Sequence, residues 1–168
     1  MTISMYQASI PVFLRALDNL SAILDIGAAH AATKQLDPLV LTGARLYPDM
    51  FPFSRQVQIA CDMVKGGAAR LAGVEPPPRA DTEKTFAELK SRIDWTAAFL
   101  RRFDAEQIDG SEDRPIVIRT PFGELHFTGQ RYLLGFVLPN LYFHSTTAYN
   151  LLRHSGVELG KRDFLGPA

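Results

Sequence analysis

His144 and Asn140 lie one helical turn apart in LPNLYFHSTTAYN and are the residues best placed to do chemistry. An imidazole titrates near neutrality, so His144 suits general acid/base catalysis or metal ligation. The plainer alternative is a buried histidine bonded to a backbone carbonyl or a tyrosine. Asn140 follows Pro139, and its amide suits either a polar ligand or the carbonyl that the proline leaves without a donor. A second set, Gln56, Gln58 and Asp62, lies on another amphipathic stretch. A helical wheel puts Gln56 and Gln58 at opposite edges of its apolar stripe and Asp62 nearly opposite the centre. Asp62 is then solvated, unless this helix also faces a cleft or a second subunit. Ile59 and Met63, also off the stripe, point to such a second face. Arg45 and Asp49 are spaced to form an ion pair bracing a connection or to rim a pocket for an anion. Tyr47, Tyr142 and Tyr149 offer phenol donors, though tyrosines also fill bundle ends. Cys61 falls on the apolar stripe, where a thiol is inert rather than nucleophilic. The chain has no glycine-rich phosphate loop or nucleophile elbow, and GKRD at 160–163 lacks the context for one.

These residues need long helices to position them. Residues 128–156 have no formally charged side chain between Arg131 and Arg153. Such a run fits a membrane span or a helix buried on most sides. Asn140, His144, Ser145, Thr146, Thr147 and Asn150 are too many polar groups for lipid, so a buried helix kinked at Pro139 is expected. Ile10, Phe13, Leu14, Leu17, Leu20 and Leu24 make one stripe of a first helix over 4–26, with Pro11 at its start or at a bend. Asp37 before Pro38 signals a short helix over 38–42 ended by Gly43. A second long helix spans 49–72, with Asp49 as its cap. Its stripe is Phe53, Val57, Ala60, Cys61, Val64, Ala68 and Leu71, and small residues at 66–69 allow a close neighbour. A third runs from Asp81 or Thr82 to Phe103 through Phe86, Leu89, Ile93, Ala97 and Leu100, with Glu88 and Arg92 as a favourable i,i+4 pair. The period changes to two over 114–127, where Thr120-Pro121-Phe122-Gly123 turns a β-hairpin. The tail lies across the bundle, anchored by Phe164 and Leu165, and is expected to add no new element.

Composition sets the outer bounds. The 168 residues suffice for one domain with a sizeable core, and residues 1–168 are read as such. Eighteen basic residues balance eighteen acidic ones, which argues against a nucleic-acid partner or an anionic membrane surface and mildly favours self-association. The lone cysteine excludes an intrachain disulfide and points to a reducing cytoplasm. The opening MTISMYQASIPVF has no basic segment or cleavage site of a secretory signal. The pattern is an all-α four-helix bundle with a hairpin before the last helix.

Three stretches carry a further resemblance: MYQASIPVFLRALDNL, RLYPDMFPFSRQVQIACDMVKGGAARLAG and LPNLYFHSTTAYNLLRHSGVELGKRDFLG. Together they resemble an uncharacterised bacterial family within the DinB/YfiT-like superfamily. The resemblance implies a four-helix bundle, often dimeric. In many members one histidine on the second long helix and two histidines four apart on the last bind zinc or nickel, which in some activates a thiol or a water. Here residues 49–72 contain no histidine. His144 matches one ligand position, but Ala148 and Asn140 stand four residues to either side. His154 is on a different helical face, His126 is on the hairpin and His30 is in the first crossover. A zinc site needs three or four well-placed N, S or carboxylate ligands.

The reading is therefore a small-molecule-binding or accessory protein without metal or cofactor, probing its ligand through Asn140, Gln56, Gln58, Asp62, Arg45 or Tyr149. A homodimer in the cytoplasm is expected, with no nucleic-acid or membrane partner. The alternative is a small-molecule transferase or hydrolase, metal-independent or weakly metal-dependent, with His144 as its catalytic residue.

Overall fold

The computed structural model describes residues 2–167. Helices α1 (Ile10–Thr33), α3 (Phe53–Leu71), α4 (Phe86–Leu100) and α7 (Leu138–His154) form the bundle. The short helices are α2 (Pro38–Thr42), α5 (Ala105–Ile108), α6 (Gly129–Tyr132) and α8 (Lys161–Leu165). Strands β1 (Pro115–Thr120) and β2 (Gly123–Thr128) pair antiparallel, with Ile116 opposite Phe127 and Ile118 opposite Leu125. Helix α3 is central and packs on both α7 and α4, while α1 closes the bundle against α4 and α7.

The apolar stripes named above supply the core. Phe13, Leu17 and Leu20 of α1, Phe53, Val57 and Val64 of α3, Leu89 and Ile93 of α4, and Leu141, Ala148 and Leu152 of α7 are all buried. Gly67 lets three elements meet, because a Cβ there would lie 2.9 Å from Val137 Cγ1 and 3.3 Å from the Phe13 ring.

Local chemistry moves several boundaries. Pro11 stands in the first turn of α1, which runs on to Thr33 and includes His30 in its last turn. Asp37 caps α2, its carboxylate accepting from the Leu39 N–H at 2.9 Å. Helix α3 starts at Phe53 with Pro52 at the cap position, so Asp49 does not cap it. A turn closed by the Met50 N–H on the Tyr47 carbonyl precedes it, and the Phe53 N–H is taken by Ala44. Helix α4 starts at Phe86 rather than at 81 or 82, since Thr85 and Glu88 form a reciprocal capping box. That commits Glu88 to the Lys84 and Thr85 N–H groups at 2.8 and 2.9 Å, so the expected Glu88–Arg92 pair does not form. Asp104 and Gln107 repeat the box and open α5, which ends the third long helix at Leu100.

The expected kink is a π-helical turn, Leu133–Val137, between α6 and α7. Pro139 has no N–H for the carbonyl four residues back, and its ring would crowd that carbonyl. Widening the preceding turn accommodates both. The tail forms α8 against α1, held by Arg15 to the Leu165 and Pro167 carbonyls and by Asn19 to the Phe164 carbonyl.

Candidate functional site

The wheel edges of α3 lead to two different neighbourhoods. At one edge Gln56, 2 % exposed, meets α7. Its Oε1 is 2.7 Å from His144 Nδ1, and its Nε2 donates to the Phe51 carbonyl at 3.2 Å. A carbonyl only accepts, so Phe51 fixes which end of the amide faces His144. Gln56 Oε1 therefore requires the proton on Nδ1, and Nε2 of the neutral ring is left with its lone pair. Burial, and then the Arg55 guanidinium, hold the His144 pKa below the usual imidazole value. Asn140 shares the α7 face, but its amide donates to the Phe136 carbonyl at 2.7 Å. It thus relieves the distorted turn, though at Phe136 rather than at Gly135.

At the other edge Gln58, 4 % exposed, donates to the Glu83 carbonyl and carboxylate at 3.3 and 3.2 Å. Glu83 belongs to an extended strap before α4, residues 75–84, which holds three prolines and brings Asp81 and Glu83 into a buried ion cluster. Its centre is Arg92, 0 % exposed. Arg92 Nη1 donates to Glu83 Oε2 at 2.9 Å and to the Ala80 carbonyl at 3.1 Å. Nη2 lies 2.9 Å from carboxylate oxygens of both Asp62 and Asp81, at angles outside hydrogen-bonding geometry, and Nε has no partner among the described residues. Each acid has a second cation: Lys65 on Asp62 at 2.7 Å, Arg79 on Glu83 at 3.2 Å, and Arg55 on Asp81. Burial pushes the Glu83 carboxyl up, but its backbone N–H, Arg92 and Arg79 outweigh this and hold it below the usual range. Asp62 is consequently a partner in this cluster and not a freely solvated side chain. Arg92 was the residue the sequence pattern misplaced. Its position one residue before Ile93 and three after Leu89, downstream of Asp81 and Glu83, was the available signal.

The remaining candidates are dispersed. Arg45 is exposed and donates to the Met50 carbonyl, bracing the crossover as expected, but through that carbonyl and not through an ion pair with Asp49. Tyr149 is half-buried, with its hydroxyl 3.5 Å from the Leu159 carbonyl and its ring edge-on to Phe164. Cys61 is buried, and burial pushes its thiol up to about 12 despite the opposing field of Arg92.

Two cavities lined by the described residues stand out, and neither is lined by His144 or Gln56. One, about 270 Å³, is mainly apolar and lies between α1, α7 and α8. Ser145 lines it, 4 % exposed, and its hydroxyl has no partner among the described residues. Ser9, Thr96, Thr147 and Ser155 all return theirs to the carbonyl four residues back. The other cavity, about 410 Å³, lies between α3, the proline strap, the hairpin and the π-helical turn.

The metal set implied by the resemblance does not fit these side chains. Helix α3 has no histidine, Asn140 and Ala148 stand four residues to either side of His144, and the Asn140 and Gln56 amides near it are already engaged. No group of three or more His, Cys, Asp or Glu among the described residues is arranged to hold an ion. No helix among them is long and apolar enough to cross a membrane.

The bundle, with a hairpin before its last long helix, is a DinB-like helical fold. A crystal structure of a DinB family member protein from Shewanella denitrificans superposes with a TM-score of 0.89 at 42 % identity, over 97 % of this chain and 92 % of that one. Residues 5–165 match DUF1993, a domain of unknown function, and the chain belongs to that family. No curated protein matches it.

Proposed function

We propose that this chain is a small-molecule-binding protein in which the superfamily's metal-holding positions have become hydrogen-bonding ones. The observation that carries the reading is the 2.7 Å contact between Gln56 Oε1 and His144 Nδ1. The resemblance implies a histidine ligand on the second long helix; this chain has none there, and the Gln56 carboxamide of that helix uses its oxygen to orient the imidazole. Carboxamide oxygens suit hard cations held by several such groups, whereas zinc and nickel favour imidazole and thiolate. Protein purified without added metal should contain far less than one equivalent of zinc or nickel. Stoichiometric metal would overturn the reading.

The tautomer supports a second reading. A neutral imidazole with Nε2 unprotonated is a competent general base, which suits a transferase or hydrolase acting on a small molecule. Under this reading His144→Ala abolishes the melting shift caused by a metabolite found by screening. A shift that survives the substitution unchanged removes His144 from the site.

A homodimer completes the proposal. It rests on formal neutrality and on the exposed Tyr142 and Phe143 of α7, with Ile59 and Met63 only half-buried. Light scattering at micromolar concentration should give twice the chain mass, and a monomer mass refutes it. A cytoplasmic setting is proposed on the single thiol.

A further inference from the structure

The larger cavity carries an uneven charge in a chain that is neutral overall. Lys65, Arg70 and Arg79 face it against one carboxylate, Asp62. Adding the cluster behind it, Arg55 and Arg92 with Asp81 and Glu83, leaves the same excess of two positive charges. Lys65 and Arg79 are held in place by Asp62 and Glu83 and by the Trp95 ring, whose centroid lies 5.9 and 4.8 Å from their charged groups. Arg70 differs. Among the described residues it has no carboxylate partner within ion-pairing distance, and its Nη1 donates to the Tyr132 hydroxyl at 3.1 Å. That hydroxyl accepts from Arg70 and so keeps its own hydrogen to donate. Burial raises the Tyr132 pKa, against the lowering field of Arg70, so the phenol stays protonated. Gly66 makes the geometry possible, because a Cβ there would collide with the Arg70 guanidinium. Phe136, Ile118 and the prolines of the strap add apolar wall.

We propose that this cavity binds a small oxyanion, a carboxylate or phosphate carried on a compact apolar body, with Arg70 as its principal partner and Tyr132 and Lys65 as supporting donors. An unpaired guanidinium beside a free phenolic hydrogen presents directional donors to an oxyanion, and the Trp95 platform fixes the flanking cations before binding. The apolar wall selects against bare inorganic ions. The assignment rests on the small-molecule-binding reading and identifies its ligand class.

The test is a calorimetric titration of the full chain with phenyl phosphate, benzoate, inorganic phosphate and uncharged benzyl alcohol. Phenyl phosphate or benzoate should bind saturably, at least tenfold more tightly than benzyl alcohol, and the better of the two identifies the anionic group. Arg70→Met should weaken that binding at least tenfold, and Tyr132→Phe should weaken it severalfold. Gly66→Ala is the control for folding. It keeps every charge and favours the helix, yet displaces the guanidinium, so it should melt no lower than the parent while binding the anion more weakly. Anion binding unchanged in Arg70→Met and Gly66→Ala overturns the proposal, as does the absence of saturable binding by either organic anion. Benzyl alcohol binding as tightly as the anions also overturns it but leaves the small-molecule reading standing.

Discussion

Replacing Arg92 by methionine keeps most of the volume and removes the cation at the centre of the buried cluster. Three carboxylates then lose a partner at 2.9 Å. Removing one member of a buried ion pair generally costs about 3–5 kcal/mol, because the charge left behind is desolvated and unpaired. Here each acid retains a second cation, and only Glu83 is buried, with a side chain 6 % exposed. The lower end, about 3 kcal/mol, is therefore expected, which for a chain of this length lowers the melting temperature by about 6–12 °C. The pH dependence gives a second check. The Glu83 pKa is depressed in the folded state, so its contribution is fully present above the ordinary carboxylate range and is lost as pH falls through the folded value. Without Arg92 the burial of Glu83 is opposed less, and its folded pKa rises. The gap between parent and variant should thus be widest near neutrality and narrow as pH falls through the ordinary carboxylate range toward the lower folded value of Glu83. Urea titrations across that range measure it. A variant within about 0.5 kcal/mol of the parent, the size of an ordinary surface substitution, would refute the reasoning. So would a gap that does not change with pH.

Three further outcomes follow from single side chains. The Cys61 thiol should resist a disulfide reagent in the native protein at pH 8 and react on unfolding, since burial pushes it up to about 12; rapid native reaction would show that it is accessible. Ser145→Ala should be neutral or stabilising by up to about 1 kcal/mol, because it removes a buried hydroxyl without a partner. A clear loss of stability there would show that the hydroxyl is bonded. The depressed His144 pKa means its contribution is present above the unfolded imidazole value and is lost as pH falls through the folded one. His144→Gln should remove that step from the acid side of the stability profile, and an unchanged profile would contradict it.

The helices were legible because their apolar spacing leaves few alternatives. Phe53, Val57, Val64, Leu89, Ile93 and Leu100 could all be placed in the core from periodicity alone, and the structure buries them. Pro121 and Gly123 announced the hairpin, and Pro139 announced the distortion before α7. The site was less legible because its partners are distant in sequence. The wheel put Gln56 and Gln58 at opposite edges of α3, but it could not say that one edge would meet His144 and the other Glu83. Arg92 was misread because Glu88 stood at the right spacing for a surface pair. The capping box with Thr85 was the competing claim on Glu88, and it leaves Arg92 to turn inward toward the strap. The ends of helices moved for the same kind of reason, since proline and cap chemistry decided them where apolar spacing did not.

The proposal that the α3–α7 junction holds no metal centre is tested most directly by long-range nitrogen–proton NMR of the His144 ring, with and without one equivalent of zinc. The proton should sit on Nδ1, toward Gln56, and neither ring nitrogen should shift when zinc is added. A ring protonated on Nε2, or nitrogen shifts that saturate at one zinc per chain, would contradict this assignment.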